Sequence, residues 1–316
     1  MIMRAGGAQR ASLLATGLFI FILALGCAGG TAVAGVWVDG PAAREAVSFW
    51  TPARMRAAEP LESKRGEAHR VAATAARVGE FGSDFVEVAD PTAPGFRVHG
   101  VIFISLGFFG YGRCSGTAVR SPNQSVVFTA GHCIHDGGSL GSWYRSRSAF
   151  VPAYRFGQRP FGLFPVRWID TTKQWRATGS ENFDVGAMVV GENERGQTLT
   201  EAVGAAGIAW NLKPKQTFDV HGYPAEPPFD GETQRLCSGT PFLGHDPNSY
   251  VSPGPLNLAV TCELNGGASG GGWMIEGGKT LNGVTDYGYF DKSSPAYGPY
   301  FGKEVARLYG RASAVK

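Results

Sequence analysis

The chain has 316 residues, with a hydrophobic share of 43% and a charged share of 17%, a balance that suits a packed protein and excludes a largely disordered one. Its formal net charge of +3 is too small to point to nucleic acid or an anionic membrane surface as partner. Glycine, at 46 residues, suits many tight turns and hence a β-rich fold.

Residues 1–34 read as an export signal. Arg4 and Arg10 supply a positive start, Leu13 to Leu25 an apolar stretch, and Ala32-Val33-Ala34 a small-residue cleavage site. The apolar stretch falls short of the roughly 20 residues that span a bilayer. Secretion is therefore expected, with no stable membrane insertion once the signal is removed. Lipidation at Cys27, within "ALGC", is the alternative.

Residues 35–95 are rich in Ala, Arg and Glu with little period-2 alternation, and read as a pro-segment or flexible N-terminal extension. From residue 96 to 316 short β-rich runs alternate with Gly, Pro, Asn and Asp clusters. Strands are expected over 101–106, 115–120, 125–130, 149–155, 164–169 and 184–190. After a polar connection near 192–204 they resume over 207–211, 217–223, 256–262, 272–276 and 282–287. This spacing predicts antiparallel sandwiches or barrels. "KEVARLYGRA", 303–312, predicts a closing amphipathic helix with Val305 and Leu308 on one side.

Loss of the signal removes Cys27 and leaves Cys114, Cys133, Cys237 and Cys262. An even number in an exported chain suggests disulfides. Three pairings are open, and sequence order favours Cys114–Cys133 with Cys237–Cys262, each tying neighbouring strands.

Three stretches hold a base, an acid and a nucleophile: His132 in "TAGHC", Asp184 in "NFDVGAMVV" and Ser269 in "NGGASGGGW". A serine hydroxyl needs an imidazole to take its proton. The imidazole in turn needs a carboxylate to set its tautomer and stabilise its charged form. Glycines around Ser269 permit backbone conformations that aim amides at an oxyanion, here those of Gly267 and Ser269. Trp273 is expected to pack beneath that loop. A zinc site from His132, Cys133, His135 and Asp136 is disfavoured, since Cys133 has a use in a disulfide. His135 reads as a surface loop residue and His221 as a structural residue on a strand.

In order, "TAGHC", "FDVGAMVV" and "GGASGGG" resemble the three motifs of trypsin-like (chymotrypsin-fold) serine endopeptidases over about residues 97–312. "DVHGYPAE" is similar to the bacterial branch that includes secreted glutamyl endopeptidases, and "FWTPARMRAAEP" to pro-segments of exported actinobacterial peptidases. The resemblance implies an all-β fold of two six-stranded antiparallel β-barrels with a C-terminal helix. It also implies that Cys114–Cys133 is the family's disulfide beside the histidine. His132, Asp184 and Ser269 would hydrolyse peptide bonds through an acyl-enzyme, without metal or organic cofactor. The partners would be protein or peptide substrates, and the chain a monomer. Ala268 stands where many relatives carry the aspartate that pairs with a freed N-terminus, so a zymogen here would mature by another route. Glu263, Thr285, Asp286 and Gly288 are the candidates for the substrate pocket, with Thr285 where glutamyl endopeptidases place a histidine. The rival from another class is a protease-like binding protein without catalysis.

Overall fold

The computed structural model describes residues 35–38, 40–61, 86–247, 249, 253–262, 266–288 and 295–316. The expected signal, residues 1–34, and the candidate pocket residue Glu263 lie outside the described residues.

The N-terminal segment supplies β1 (Val36–Trp37), α1 (Gly40–Phe49), α2 (Pro52–Arg56) and β2 (Glu59–Pro60). A short β3 (Val86–Glu87) precedes the first barrel: β4 (His99–Ser105), β5 (Tyr111–Val119), β6 (Val126–Thr129), β7 (Ala149–Pro152), β8 (Phe164–Thr171) and β9 (Gly186–Val190). The ladder closes in the order β4-β5-β6-β9-β8-β7 and back to β4, all antiparallel. The second half forms one sheet from β10 (Gly207–Ile208), β11 (Thr217–Gly222), β12 (Arg235–His245), β13 (Leu258–Val260), β14 (Gly272–Ile275), β15 (Thr280–Val284), β16 (Tyr287–Gly288) and β17 (Ala296–Gly298). Its order is β10-β15-β14-β11-β12-β13-β17-β16, with β3 added to β12, and this ladder does not close among the described residues. The fold is thus all-β and chymotrypsin-like, with full closure in the first half.

Strand β4 shows why the N-terminal segment matters. "VIFI" has no polar alternation, because both faces of the strand are buried. Ile102 and Ile104 point into the barrel with Cys114, Val127, Phe150 and Met188. Val101 and Phe103 point outward and are covered by Ala46, Trp50, Met55 and Ala58. Trp50 is 1% exposed. Its indole N–H donates to the Arg147 carbonyl at 2.5 Å, and its ring packs on Phe103 and Tyr111. β1 pairs with β8 and β2 with β5. Residues 36–38 and 40–61 are therefore part of the packed unit rather than the loose lead that composition suggests.

The expected closing helix is present as α5 (Lys303–Ser313), following α3 (Lys173–Thr178) and α4 (Leu199–Val203). Its buried Val305, Leu308 and Ala312 cover the outer face of the first barrel at Val126, Phe128 and Trp168. Asn123 donates to the carbonyls of Ala312 and Val315, 2.9 Å each, and Arg311 donates to Asp170. Strand β12 was not expected from "RLCSGTPFLGH", where Gly, Pro and Ser interrupt the β pattern.

His99 on β4 and His221 on β11 stack ring on ring, centroids 3.9 Å apart. His221 is structural, as its strand position suggested. Burial pushes it down to about 4, and burial, with His221 beside it, holds His99 well below the ordinary histidine range.

Two outcomes are expected. Trp50→Ala should cost about 3–5 kcal/mol of unfolding free energy, read by urea denaturation. For acid stability, an unfolded histidine ring protonates near 6.5 whereas folded His221 does so only near 4. The unfolded state therefore binds more protons between those values, and stability falls as pH falls through that window. The His221 contribution lost by its lower end is about 3 kcal/mol. His221→Gln should flatten the dependence of the urea midpoint on pH.

Candidate active site

His132 follows the end of β6 by way of Ala130 and Gly131. The chain turns there, the amides of Ile134 and His135 both bonding the Gly131 carbonyl. Cys133 is bridged to Cys114 on β5, and Cys237 to Cys262, the pairings that sequence order favoured. A cross-link of this span contributes about 3 kcal/mol in the chain-entropy model. The bridge also takes the thiolate that a zinc site would need.

Asp184 caps the 3-10 turn Glu181–Phe183 and is fully buried. Its Oδ1 accepts the His132 backbone N–H at 2.7 Å, and its Oδ2 lies 2.6 Å from His132 Nδ1. A buried carboxylate can only accept here, so Nδ1 carries the proton and Nε2 presents its lone pair. The flanks of Asp184 are tied by Thr171, the last residue of β8, and Thr172, which follows it: Thr171 Oγ1 donates to the Val185 carbonyl, and Thr172 Oγ1 to that of Phe183. Trp175 on α3 donates its indole N–H to the His135 carbonyl at 3.0 Å. His135 itself is buried and packs edge-on against Trp143, so it is not the surface residue that its loop suggested.

Ser269 comes from the second half. Its carbonyl accepts the Ser115 amide at 2.8 Å and lies 3.8 Å from Cys133 Sγ. Ser115 Oγ donates to the Gly267 carbonyl and accepts the Tyr223 amide, both at 2.9 Å. The loop can sit this low because residue 270 is glycine, whose absent Cβ would lie 2.0 Å from Thr129 Oγ1. Ser269 is thus docked on the strand end that carries His132. Among the described residues, His132 Nε2 has no hydrogen-bond partner, so the imidazole and the Ser269 hydroxyl are not bonded. Also among the described residues, the amides of Gly267 and Ser269, the expected oxyanion donors, donate to no backbone carbonyl.

The candidate pocket residues are placed differently from one another. Thr285 is buried and its hydroxyl accepts the Trp273 indole N–H at 2.9 Å, which sets Trp273 beneath the Ser269 loop. Gly288 ends β16, half-buried. Asp286, expected at the pocket, is instead turned inward, with Oδ1 3.6 Å from His132 Nδ1 and its side chain fully buried. Its position between Thr285 and Tyr287 carried no signal of this. A strand-end aspartate reads as a rim residue unless the partner loop is known.

Gly131→Ala would put a methyl 2.5 Å from Asp184 Oδ1 and 2.8 Å from Thr171 Oγ1. It should cost about 1–3 kcal/mol in chemical denaturation and shift the proton resonance of His132 Nδ1 in NMR.

No family model matches the chain, and no curated protein matches it. Solved structures do. The crystal structure of the protease Anisep from Arthrobacter nicotinovorans is 34% identical, with a TM-score of 0.64, over 72% of this chain and 99% of that one. That of the thermostable serine protease AL20 from an extremophilic microorganism is 33% identical, with a TM-score of 0.63, over 70% of this chain and 98% of that one. A Glu endopeptidase in complex with MPD shares the fold at 19% identity and a TM-score of 0.56, over 74% of this chain and 99% of that one.

Proposed function

Since the chain belongs to the chymotrypsin-fold serine proteases, we propose that it cleaves peptide bonds with Ser269 as nucleophile, His132 as general base and Asp184 as the acid that orients the base. The carrying observation is the pair of bonds from Asp184 to His132, 2.7 Å and 2.6 Å long, which supports one tautomer with Nε2 free to accept.

Ser269 Oγ attacks the scissile carbonyl carbon while its proton passes to His132 Nε2. The imidazolium then gives that proton to the leaving amine, and an acyl-enzyme forms. Water, deprotonated by the same nitrogen, releases the acid and restores Ser269. Asp184 keeps its charge throughout and stabilises the imidazolium. The amides of Gly267 and Ser269 are assigned to the oxyanion. The unbonded Nε2 of His132 accords with a site whose bonds tighten on substrate binding.

We assign residues 1–34 to an export signal and 96–316 to the protease domain, with residues 36–38 and 40–61 retained as part of the folded unit. Two disulfides fit an oxidising compartment. Polypeptides are the partners, and the chain acts as a monomer without cofactor.

Ser269→Ala should abolish hydrolysis of casein while leaving the urea midpoint unchanged. An organophosphonate should label the wild type at Ser269 and not the variant. Turnover by the variant, or no labelling of the wild type, overturns the assignment, the latter in favour of a non-catalytic binding protein.

A further inference from the structure

Asp286 is the buried ionisable group that the proposed mechanism leaves unused. It follows β15 and is held by its backbone, its amide donating to the Tyr297 carbonyl at 2.9 Å. The neighbouring Thr285 is locked to the nucleophile loop in both directions, through its carbonyl to Gly270 N at 2.7 Å and its amide to Gly271 O at 2.9 Å. The strand thus delivers a carboxyl from the second half against a carboxyl of the first. One ring nitrogen of His132 and one carboxyl oxygen each of Asp184 and Asp286 all lie within 4.8 Å of one another.

Among the described residues, no N–H or O–H donates to either oxygen of Asp286. Asp184, by contrast, already accepts two donors. Two carboxylates in contact and away from water cannot both stay ionised. The charge resides on the one that is better solvated by donors, which is Asp184. The acidic groups around Asp286 point the same way. Burial raises its carboxyl well above the usual carboxylate range, and the charge and hydrogen bond of Asp184 add to the effect, followed by Glu181 on the adjoining turn. Tyr287, next in sequence, is itself committed as donor to Asp246 at 2.5 Å and offers Asp286 no proton. His132 Nδ1, 3.6 Å away, is spent on Asp184.

We propose that Asp286 is a fourth member of the catalytic relay: a neutral carboxylic acid whose O–H donates to Asp184 and fixes the orientation of that carboxylate toward His132. It is a positioning residue and does not exchange its proton during turnover. The proton that moves is the one from Ser269 to His132. Because the hydrogen bond joins the two halves of the molecule, it couples the register of the halves to the alignment of the base. The proposal deepens the Ser269–His132–Asp184 reading and rests on it.

The test pairs an infrared measurement with kinetics. The difference spectrum of wild type minus Asp286→Asn at neutral pH should contain the carbonyl band of a protonated carboxylic acid. Asp286→Asn, which keeps a donor, should retain most of kcat, with the acid limb of kcat/KM moved by no more than about 0.3 units. Asp286→Ala, which has no donor, should lose about tenfold in kcat with KM little changed. An absent band, with an acid limb in Asp286→Asn lowered by about one unit or more, would mean that Asp286 is ionised and would overturn the proposal while leaving the triad intact. The infrared arm needs no turnover. A band from a protein that hydrolyses nothing would therefore uphold the proton on Asp286 and sink the triad instead.

Discussion

Asp184 accepts two hydrogen bonds from one residue, the backbone N–H and the ring N–H of His132. A carboxylate bound through both oxygens cannot rotate, and a histidine bound at both backbone and ring cannot tilt. The surroundings act to keep this contact undistorted. Thr171 and Thr172 clamp the chain on either side of Asp184, the disulfide at Cys133 holds the residue after His132, and Gly131 leaves the space that a side chain would take from the carboxylate. Each brace comes from a different stretch of sequence, so the contact is a product of the whole first barrel rather than of a local motif.

The two halves meet with little freedom. Ser115, in the middle of β5, bonds Ser269, Gly267 and Tyr223 through its amide and hydroxyl. The Ser269 loop is thereby docked on a strand that also carries Cys114, and the sulfur of Cys133 touches the Ser269 carbonyl. Much of the position of the Ser269 loop is supplied by backbone. Buried polar groups also lie at the seam. The stacked His99 and His221 must stay neutral, and the paired carboxyls of Asp184 and Asp286 must share out their charge. Such groups are stable only over a range of pH, a cost that a tightly docked seam accepts.

Much of this was legible beforehand. Most strands, the closing helix and both disulfides followed from alternation, turn residues and cysteine order, because those signals are local. The pairing of His132 with Asp184 followed the order of their motifs. What could not be read involved long-range partners. The run "VIFI" on β4 is apolar at every position, which signals a two-sided burial but not what covers the outer side. Trp50 and Met55 do so, from a segment whose composition alone resembles a loose lead. The inward turn of Asp286 depends on a carboxyl about a hundred residues earlier, and no periodicity encodes such an encounter. Strand β12 was hidden by its glycines and proline, which the second sheet accommodates through shifts of register against both neighbours.

The C-terminal helix has one more implication. Phe128 and Trp168 belong to the first barrel, yet they are covered by residues 305–312, and Asn123 is satisfied by carbonyls of Ala312 and Val315. A ribosome delivers residues 305–312 after those of the first barrel. Until they arrive the barrel keeps an apolar flank bare, and its native packing waits on them.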